Sequence, residues 1–483
     1  MKKIFYLIFI LVSFNISAQS NIIKVLDSVT LSPVPFATVY FSNNKGIIAN
    51  ENGHFELIKK ELKNDDSLFI SSMGYKKVSF AINQFNDSLI FLSPKAIELK
   101  NVLLTNRNLS SSEIIEKARN AISKNYQTQL SENKIFYKSE FLGVTEKFNL
   151  NKFKSTIEEI NSFLIDSLLN NLPKENKGIT EILCYYYGNQ EEDNQKINLI
   201  KSRETYNQED ELIKSLNSRL EESLKENLKS NSYFKVRSGL LPFSGDLDFE
   251  GLWDEKDSTS QEALKKAKES ELKRKQNFAN SRKSRITNIY NKLFYNEKTD
   301  LDFILKSNKY KFSNPELTYL GNQLVYIILC EPKGSRDFKG TLYINSEDFA
   351  IVRVDFENVK PLFKLKLLGI YQNNYLEKGR MVFSKLDNKN YSLSYFQSSY
   401  GRKFGIDRPF KIIEKNKYVK GRRKQNQISF KLDLKFNSVN REELRVFENK
   451  VMDERSFNII KEENKVLPEF LEEFNTNFWE EFD

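Results

Sequence analysis

Hydrophobic and polar residues alternate over several short stretches between residues 22 and 92. In the first stretch Ala37, Val39 and Phe41 lie on one side of an extended chain, which is the two-residue period of a strand with one buried face. Asn, Asp and Gly residues separate the stretches, and the Asn-Gly pair that ends at Gly53 suits a hairpin turn with positive φ. This pattern predicts a small β-sandwich of the seven-strand type.

A helix is predicted to begin after this region, at Ser110. Ser110 and Glu113 have the spacing of a capping box, which is typical of a helix N-terminus. Ile114 and Ala118 lie on one apolar face of the helix, which is expected to end near Asn125. Strands are then predicted over 135–144, 179–187 and 196–203.

Residues 207–300 are predicted to form a charged helical insertion. The first helix has leucines at a strict four-residue spacing, which marks a narrow apolar seam: Leu212, Leu216, Leu220, Leu224 and Leu228. The second helix begins near Ser258 or Ser260 and is strongly basic. Either it contacts an anionic surface, or it is a solvated helix, since Glu269 and Glu271 lie among its basic residues. The basic residues are Lys265, Lys266, Lys268, Lys273, Arg274, Lys275, Arg282, Lys283 and Arg285.

The strand pattern returns from residue 310 onward. The predicted strands share alternating or continuous apolar runs bounded by turn residues: 324–329, 340–344, 350–356, 379–384, 391–396 and 428–434. They predict an antiparallel meander. Whether this meander and residues 135–206 share one sheet stays open.

The motif of the N-terminal sandwich resembles the carboxypeptidase-regulatory-like domain, a transthyretin-like β-sandwich found in exported Gram-negative proteins. The resemblance covers about residues 20–105. Its motif positions are Pro35, Ala37, Val39, Gly46, Gly53, Phe55, Gly74 and Tyr75. It implies a non-catalytic module that supports folding or interaction, in which these residues form turns and core.

Two further resemblances concern the rest of the chain. The pattern from Ser110 through Tyr126 to Glu140 is similar to a family of exported, uncharacterised envelope proteins with the same N-terminal sandwich. The pattern from Gly340 to Val354 looks like the meander of outer-membrane lipoprotein carriers, which hold acyl chains. The second of these is an analogy at the level of the fold.

The first residues of the chain have the features of a secretory signal peptide. Lys2 and Lys3 precede an apolar run over 4–12, which is too short to span a bilayer. Cleavage is predicted between Ala18 and Gln19. No cysteine follows the apolar run, so a lipid anchor of the lipobox type is not expected.

Composition and charge indicate which classes of binding partner are expected. The formal net charge is +10, and removal of Lys2 and Lys3 leaves +8. After export, the anionic partners expected are lipid headgroups or other outer-membrane components rather than nucleic acid; the alternative is a charged surface that keeps the protein soluble. No later apolar run reaches membrane-spanning length, so no transmembrane helix is expected in the mature chain.

The pattern as a whole predicts a mainly β, multi-domain chain with α insertions. The expected organisation is a signal peptide at 1–18, a β-sandwich at 19–105, a helix with the first strands of the β-rich domain at 106–206, the helical insertion at 207–300, the antiparallel meander at 301–440 and an acidic, partly helical tail at 441–483.

The sequence has two cysteines, Cys184 and Cys330, each in a strand-like apolar run. In an oxidising compartment they could form a disulfide. As free buried thiols they would behave as small hydrophobic residues. The cysteine count leaves both alternatives open.

No catalytic, cofactor-binding or metal-binding constellation emerges. The single histidine, His54, would have to serve any Ser-His-Asp triad or multi-histidine metal site, and it is expected to be an exposed turn residue. Asp246, Asp248 and Glu250 lie close together, but they lack the spacing of a calcium-binding EF-hand. We therefore expect no cofactor and no enzymatic activity.

Three functional hypotheses follow. The first is an exported, non-enzymatic binding or scaffolding module at the periplasm or outer membrane, with an envelope protein or outer-membrane component as its partner. The second is a lipid or lipoprotein carrier that uses the 310–440 meander as an apolar surface. The third is a carboxylate-based hydrolase. This hypothesis stays open because the two carboxylates of such a site come together only in the folded chain, not in the sequence.

Overall fold

The computed structural model describes residues 21–470 apart from 29–30, 32, 35–36, 42–45, 50–52, 58–66, 72–74, 86, 94–108, 127, 190–193, 207–210, 230–231, 240–245, 248–260, 321–322, 386–389, 420–423 and 464. The chain divides into two compact units. The first comprises residues 1–108, 317–325 and 475–483, and the second comprises 109–316 and 326–474. The signal peptide, with Ala18 and Gln19, lies outside the described residues and stays a prediction.

The N-terminal unit contains a β-sandwich, as predicted. Its strands are β1 (Asn21–Asp27), β2 (Thr38–Phe41), β3 (Gly46–Ile48), β4 (His54–Leu57), β5 (Ser67–Ser71), β6 (Val78–Ala81) and β7 (Leu89–Leu92). They form one sheet of order β4-β1-β7 and a second of order β3-β2-β5-β6. Alternation of apolar residues therefore predicted the number and type of these strands.

Several motif residues form the core and turns of this sandwich. Ala37 and Val39 are fully buried, and Phe55 is 4% exposed. Gly53 has a φ of +73°, and a Cβ atom there would lie 2.5 Å from the carbonyl oxygen of Val25. Glycine is therefore required at this turn for both backbone conformation and space.

The structure describes only some of the other motif residues. Gly46 begins β3, while Pro35 and Gly74 lie outside the described residues. His54, expected in an exposed turn, is the half-buried first residue of β4.

Tyr75 fixes the end of β1 from within the same unit. Its hydroxyl donates a 2.8 Å hydrogen bond to Oδ2 of Asp27, which is 8% exposed. Burial, together with the hydrogen bond and charge of Asp27, raises the pKa of Tyr75 to about 12. The motif tyrosine thus contributes a polar contact as well as apolar packing.

We expect Tyr75→Phe to lower the free energy of unfolding of this unit by about 1–2 kcal/mol, because buried Asp27 loses a hydrogen bond. Since the folded-state pKa of Tyr75 is raised, its stabilising effect is complete below about pH 10 and is lost as the pH rises towards 12. Urea unfolding at pH 8 and at alkaline pH measures both effects. Tyr418→Phe, at an 80% exposed tyrosine, is the control; an equal effect there would contradict the prediction.

The second unit is built on a large sheet with helices against it. The helices are α1 (Ser111–Asn120), α2 (Ile122–Asn125), α3 (Ser162–Asn171), α4 (Glu211–Asn227), α5 (Gln261–Asn291) and α6 (Glu454–Ile459). The capping box predicted at Ser110 is present, since its side chain and that of Glu113 exchange hydrogen bonds with each other's backbone N–H.

The strands that follow the sandwich are β8 (Ser131–Ser155), β9 (Glu175–Gly188), β10 (Gln195–Tyr206), β11 (Ser232–Ser238), β12 (Asp246–Leu247), β13 (Tyr310–Phe312), β14 (Glu316–Leu320), β15 (Gln323–Pro332), β16 (Phe338–Asn345), β17 (Ile351–Asn358), β18 (Phe363–Leu367), β19 (Ile370–Ser384), β20 (Ser392–Asn416), β21 (Lys424–Val451) and β22 (Glu469–Phe470).

These strands belong to one sheet, whose main path is β13-β15-β16-β17-β19-β20-β21-β8-β9-β10-β22. Sequential neighbours pair antiparallel, and β21 returns to pair with β8, so the two strand regions left open by the sequence share one sheet. The mainly β fold with α insertions and a large antiparallel meander is confirmed.

One predicted segment contains an unpredicted strand, and one predicted segment boundary is wrong. Residues 207–300 contain the two predicted helices, α4 and α5, and also the strand β11 between them, which pairs with β20. Residues 441–451 do not begin an acidic tail; they continue β21 alongside β8. Charge misled the sequence prediction at residues 441–451, because strands with one solvated face carry many charged residues.

The basic helix α5 packs its C-terminal half on the sheet. Ile286 is fully buried and Ile289 is 2% exposed. Lys283 and Arg285 form ion pairs with Glu462 and Glu442, each at 2.9 Å. Two of the basic side chains of α5 are therefore paired with carboxylates within the molecule.

The two cysteines are free and buried. Cys184 lies on β9 and Cys330 on β15, and six strands separate β9 from β15 in the sheet order. The structure therefore has the free-thiol alternative rather than the disulfide. Burial raises the pKa of both thiols above its ordinary value, so both are unreactive core residues.

Candidate functional site

The long strands β8, β20 and β21 extend beyond the part of the sheet that α5 covers. Phe396 and Leu444 are directly paired and almost fully buried under that part. Further along the same strands, apolar residues recur at alternate positions, and none of them is fully buried. Because side chains alternate between the two faces of a sheet, these residues share the face of Phe396.

The register places these side chains opposite one another. Leu434 of β21 is paired with Ile406 on one side and with Phe148 on the other. Phe410 and Phe430 are also paired, and their rings stack with centroids 5.7 Å apart. Cross-strand partners lie on the same face, so the apolar residues form continuous rows across the strands.

The β18–β19 hairpin extends this face. Phe363, Leu365 and Leu367 occupy alternate positions on β18 and are 45%, 37% and 59% exposed. Leu367 is paired with Ile370 of β19, which is paired in turn with Ile406. The rows thus cover five neighbouring strands.

We call this surface the apolar face. All of its members are half-buried or exposed, none fully buried: Phe141, Phe148, Leu150, Phe363, Leu365, Leu367, Ile370, Phe404, Ile406, Phe410, Phe430, Leu432, Leu434 and Phe436.

Packing beneath the rings depends on a glycine. A Cβ atom at Gly143 would lie 2.6 Å from Cζ of Phe436 and 2.8 Å from Cζ of Phe141. The two rings stack with centroids 6.4 Å apart. The absence of a side chain at Gly143 therefore lets both rings lie against β8.

Helices bound the apolar face at two ends. At one end α5 covers the sheet, and Tyr290 stacks on Tyr186 at 5.4 Å between ring centroids. At the other end α3 and α4 cover Ile412 and Ile428. Leu220 and Leu224 of the predicted leucine seam pack in the same cluster as Ile412 and Ile428. Leu216 and Leu228 of the seam are also buried.

The opposite face of the same strands is charged. Lys435 faces Lys147 there, and Lys147 pairs with Asp433. Lys431 pairs with Asp407 at 2.7 Å. A sheet with one charged and one apolar face normally buries the apolar one, so the exposure of the apolar face calls for a functional explanation.

A small cavity lies elsewhere in the second unit, lined by both polar and aromatic residues. Its volume is about 30 Å³, enough for a water molecule or two and far below the roughly 300–1,000 Å³ of a ligand pocket. Asn133, Tyr186, Ser392 and Asn449 are among its lining residues, and Asn449 donates a 2.6 Å hydrogen bond to Asn133. It is unsuited to an acyl chain.

The described residues offer little for catalysis by a metal. No group of three His, Cys, Asp or Glu side chains among them could hold a metal ion. Of the acidic trio considered for calcium, Asp246 lies in β12, while Asp248 and Glu250 fall outside the described chain. Among the described residues, no helix is long and apolar enough to cross a membrane.

Sequence reasoning placed an apolar surface in the 310–440 meander but missed the contribution of β8. It ended this strand at Val144, whereas β8 continues to Ser155. The alternation of Phe148 and Leu150 with polar residues was the available signal. Bulges in the β8–β21 pairing interrupt its period, which explains why it was not recognised.

Comparison with known proteins identifies the N-terminal sandwich. The family described as the CarboxypepD_reg-like domain matches residues 24–104, so the resemblance of the sandwich motif is confirmed for this domain. No curated protein matches the chain.

One similar solved structure is a protein of unknown function from Bacteroides fragilis NCTC 9343, suggested to be membrane-associated. The sequence identity is 10%, over 89% of this chain and 97% of that one, with a TM-score of 0.12. A similarity this low supports no argument about function.

Proposed function

We propose that this chain is an exported, non-enzymatic binding protein of the cell envelope that holds the acyl chain of an amphiphile on its apolar face. The observation that carries the proposal is a face of half-buried or exposed Phe, Leu and Ile side chains on five neighbouring strands whose opposite face is charged. Its ligand contact would be mainly hydrophobic, so recognition needs no catalytic group.

The size of the apolar face matches such a ligand. Residues 404–410 of β20 extend for about 20 Å at roughly 3.3 Å per residue, and five strands span about 19 Å at roughly 4.8 Å spacing. One leaflet of a bilayer's hydrocarbon core is about 15 Å thick. An extended acyl chain of a membrane lipid would therefore fit within the face.

The energetics favour occupancy by hydrocarbon. Each CH₂ group removed from water contributes about 0.8 kcal/mol, so contact along a whole chain supplies enough for micromolar binding even after ordering costs. A patch of this extent, about 400 Å², is at the size where exposed apolar surface on a monomer is often functional.

Export is the second part of the proposal. The basic start of the chain, its short apolar run and the small residues before Gln19 support it. The CarboxypepD_reg-like domain supports a role in folding or interaction rather than in chemistry. An envelope location would supply acyl ligands directly.

Native mass spectrometry tests both parts. We expect protein released gently from cells to carry an added mass equal to a lipid or fatty acid, and the mature chain to begin at Gln19. After organic extraction the added mass should disappear. A bare chain under conditions that keep a known lipid carrier loaded would contradict acyl binding, and a chain retaining Met1 would contradict export.

A further inference from the structure

One buried cation lies among the apolar residues of β20. Arg408 of β20 lies between Ile406 and Phe410 at alternate positions and is directly paired with Leu432. Its side chain shares their face by alternation, and the residue is only 6% exposed. Arginine is seldom buried to this degree without an anionic partner.

Within the described residues, Arg408 has no carboxylate at ion-pair distance. Its guanidinium donates one hydrogen bond, from Nη2 to the carbonyl oxygen of Ser238 at 2.8 Å. A guanidinium has five N–H donors, so most of its donor capacity is not used by that bond.

Ser238, whose carbonyl oxygen accepts this hydrogen bond, also carries a buried hydroxyl. Ser238 ends β11 and is paired with Phe410. Its hydroxyl is buried, and in the part of the chain that the structure describes it has no hydrogen-bond partner. Buried hydroxyls are normally hydrogen-bonded, so two donors with spare capacity lie together at one edge of the apolar face.

Glycines in two tight turns leave space for the side chain of Arg408. Gly239 has a φ of +61°, and its Cβ position lies 3.2 Å from Nη2 of Arg408. Gly369, at the tip of the β18–β19 hairpin, has a φ of +77°, and its Cβ position lies 2.8 Å from Cγ of Arg408. Side chains at either turn would crowd the arginine.

We propose that Arg408 and the Ser238 hydroxyl bind the anionic head group of the amphiphile whose acyl chain lies on the apolar face. This inference deepens the proposed function and depends on it. Both a carboxylate and a phosphate accept hydrogen bonds from a guanidinium fork, so fatty acids and acidic phospholipids share the chemistry required. A neutral ester would lack it.

The test uses the full mature chain and a pair of fluorescent probes, dansyl-labelled undecanoate and its methyl ester. Wild-type protein should bind the acid about tenfold more tightly than the ester, the size expected for one charge-assisted hydrogen-bonded contact. Arg408→Gln should remove this preference and leave ester binding unchanged. Arg408→Lys should retain part of the preference, and Ser238→Ala should reduce it less than Arg408→Gln.

Lys411→Gln is the matched control, because it removes the same charge from the opposite face of β20 and should keep the wild-type preference. Lysophosphatidic acid should displace the acid probe if a phosphate head group is accepted. Inorganic phosphate alone should not displace it; displacement would show a free-anion site and overturn the inference.

The outcomes separate the two proposals. If wild-type protein binds neither probe, the proposed function fails and this inference fails with it. If wild-type protein binds both probes equally, or Arg408→Lys and Arg408→Gln both keep the tenfold preference, acyl binding stands and the head-group site is wrong. Thermal unfolding of each variant shows whether a loss of binding reflects a loss of fold.

Discussion

Leu434→Asp is expected to abolish binding of an acyl ligand. Leu434 lies at the centre of the apolar face, with Ile406 and Phe148 as its cross-strand partners. A ligand chain lying there would bury the new carboxylate, at a cost of several kcal/mol. That cost corresponds to a loss of affinity of about a hundredfold or more, measured by titration with the methyl ester of dansyl-labelled undecanoate.

The matched control is Lys435→Asp, at the next residue along β21. Lys435 is exposed on the charged face opposite Lys147, so the same residue introduced there should leave the affinity within about twofold. Since Leu434 is only half-buried, Leu434→Asp should still fold, which circular dichroism checks. Equal affinities for both folded variants would show that the ligand does not use the apolar face.

Glu181→Ala should give the largest loss of stability among the ion pairs. Glu181 accepts a 2.6 Å hydrogen bond from Nε of Arg203, and the two residues are 2% and 3% exposed. Removal of one partner from a buried ion pair costs about 3–5 kcal/mol. Urea unfolding of the full mature chain, followed by tryptophan and tyrosine fluorescence, measures this loss.

Glu140→Ala is the control for this experiment. Glu140 bonds Lys138 at 2.7 Å, but both side chains are part-exposed, so its removal should cost about 1 kcal/mol or less. The double variant Glu181→Met with Arg203→Met should recover much of the loss, because neither charge of this pair then stays buried. If Glu181→Ala destabilised the protein no more than Glu140→Ala, burial would not be the source of the pair's importance.

In the N-terminal sandwich, local sequence patterns predicted both core residues and turn residues. Ala37, Val39 and Phe55 were predicted as core from period-two alternation and are buried in the structure. Gly53 was predicted as a turn residue and has the positive φ expected. These features depend on residues close in sequence, so the chain reveals them without its tertiary contacts.

The capped helix at Ser110 and the leucine seam of α4 were predictable for the same reason. Each has a regular spacing that only one kind of secondary structure places on a single face. What the seam packs against, including Phe234 of β11 and Ile412 of β20, is not encoded in that spacing. The strand β11 within the helical insertion was not predicted for the same reason.

The candidate site depends mostly on tertiary structure. Alternation in β20 and β21 indicates two different faces, but it cannot say which face a helix will cover. The part of the sheet that stays uncovered is decided by where α5, α3 and α4 pack on it. Those contacts join residues that are far apart in the chain. Arg408 likewise looks like any surface arginine until the pairing of β20 with β11 and β21 buries it.

The sequence by itself determined the sandwich, its turn glycines, the mainly β class and most element types, because hydrophobic periodicity and turn chemistry act over a few residues. Only the tertiary structure decided that β21 returns to β8 in one sheet, that residues 441–451 belong to it, and that a continuous apolar surface is left exposed beside a buried cation. Those features arise from strand register over hundreds of residues, which no local pattern specifies.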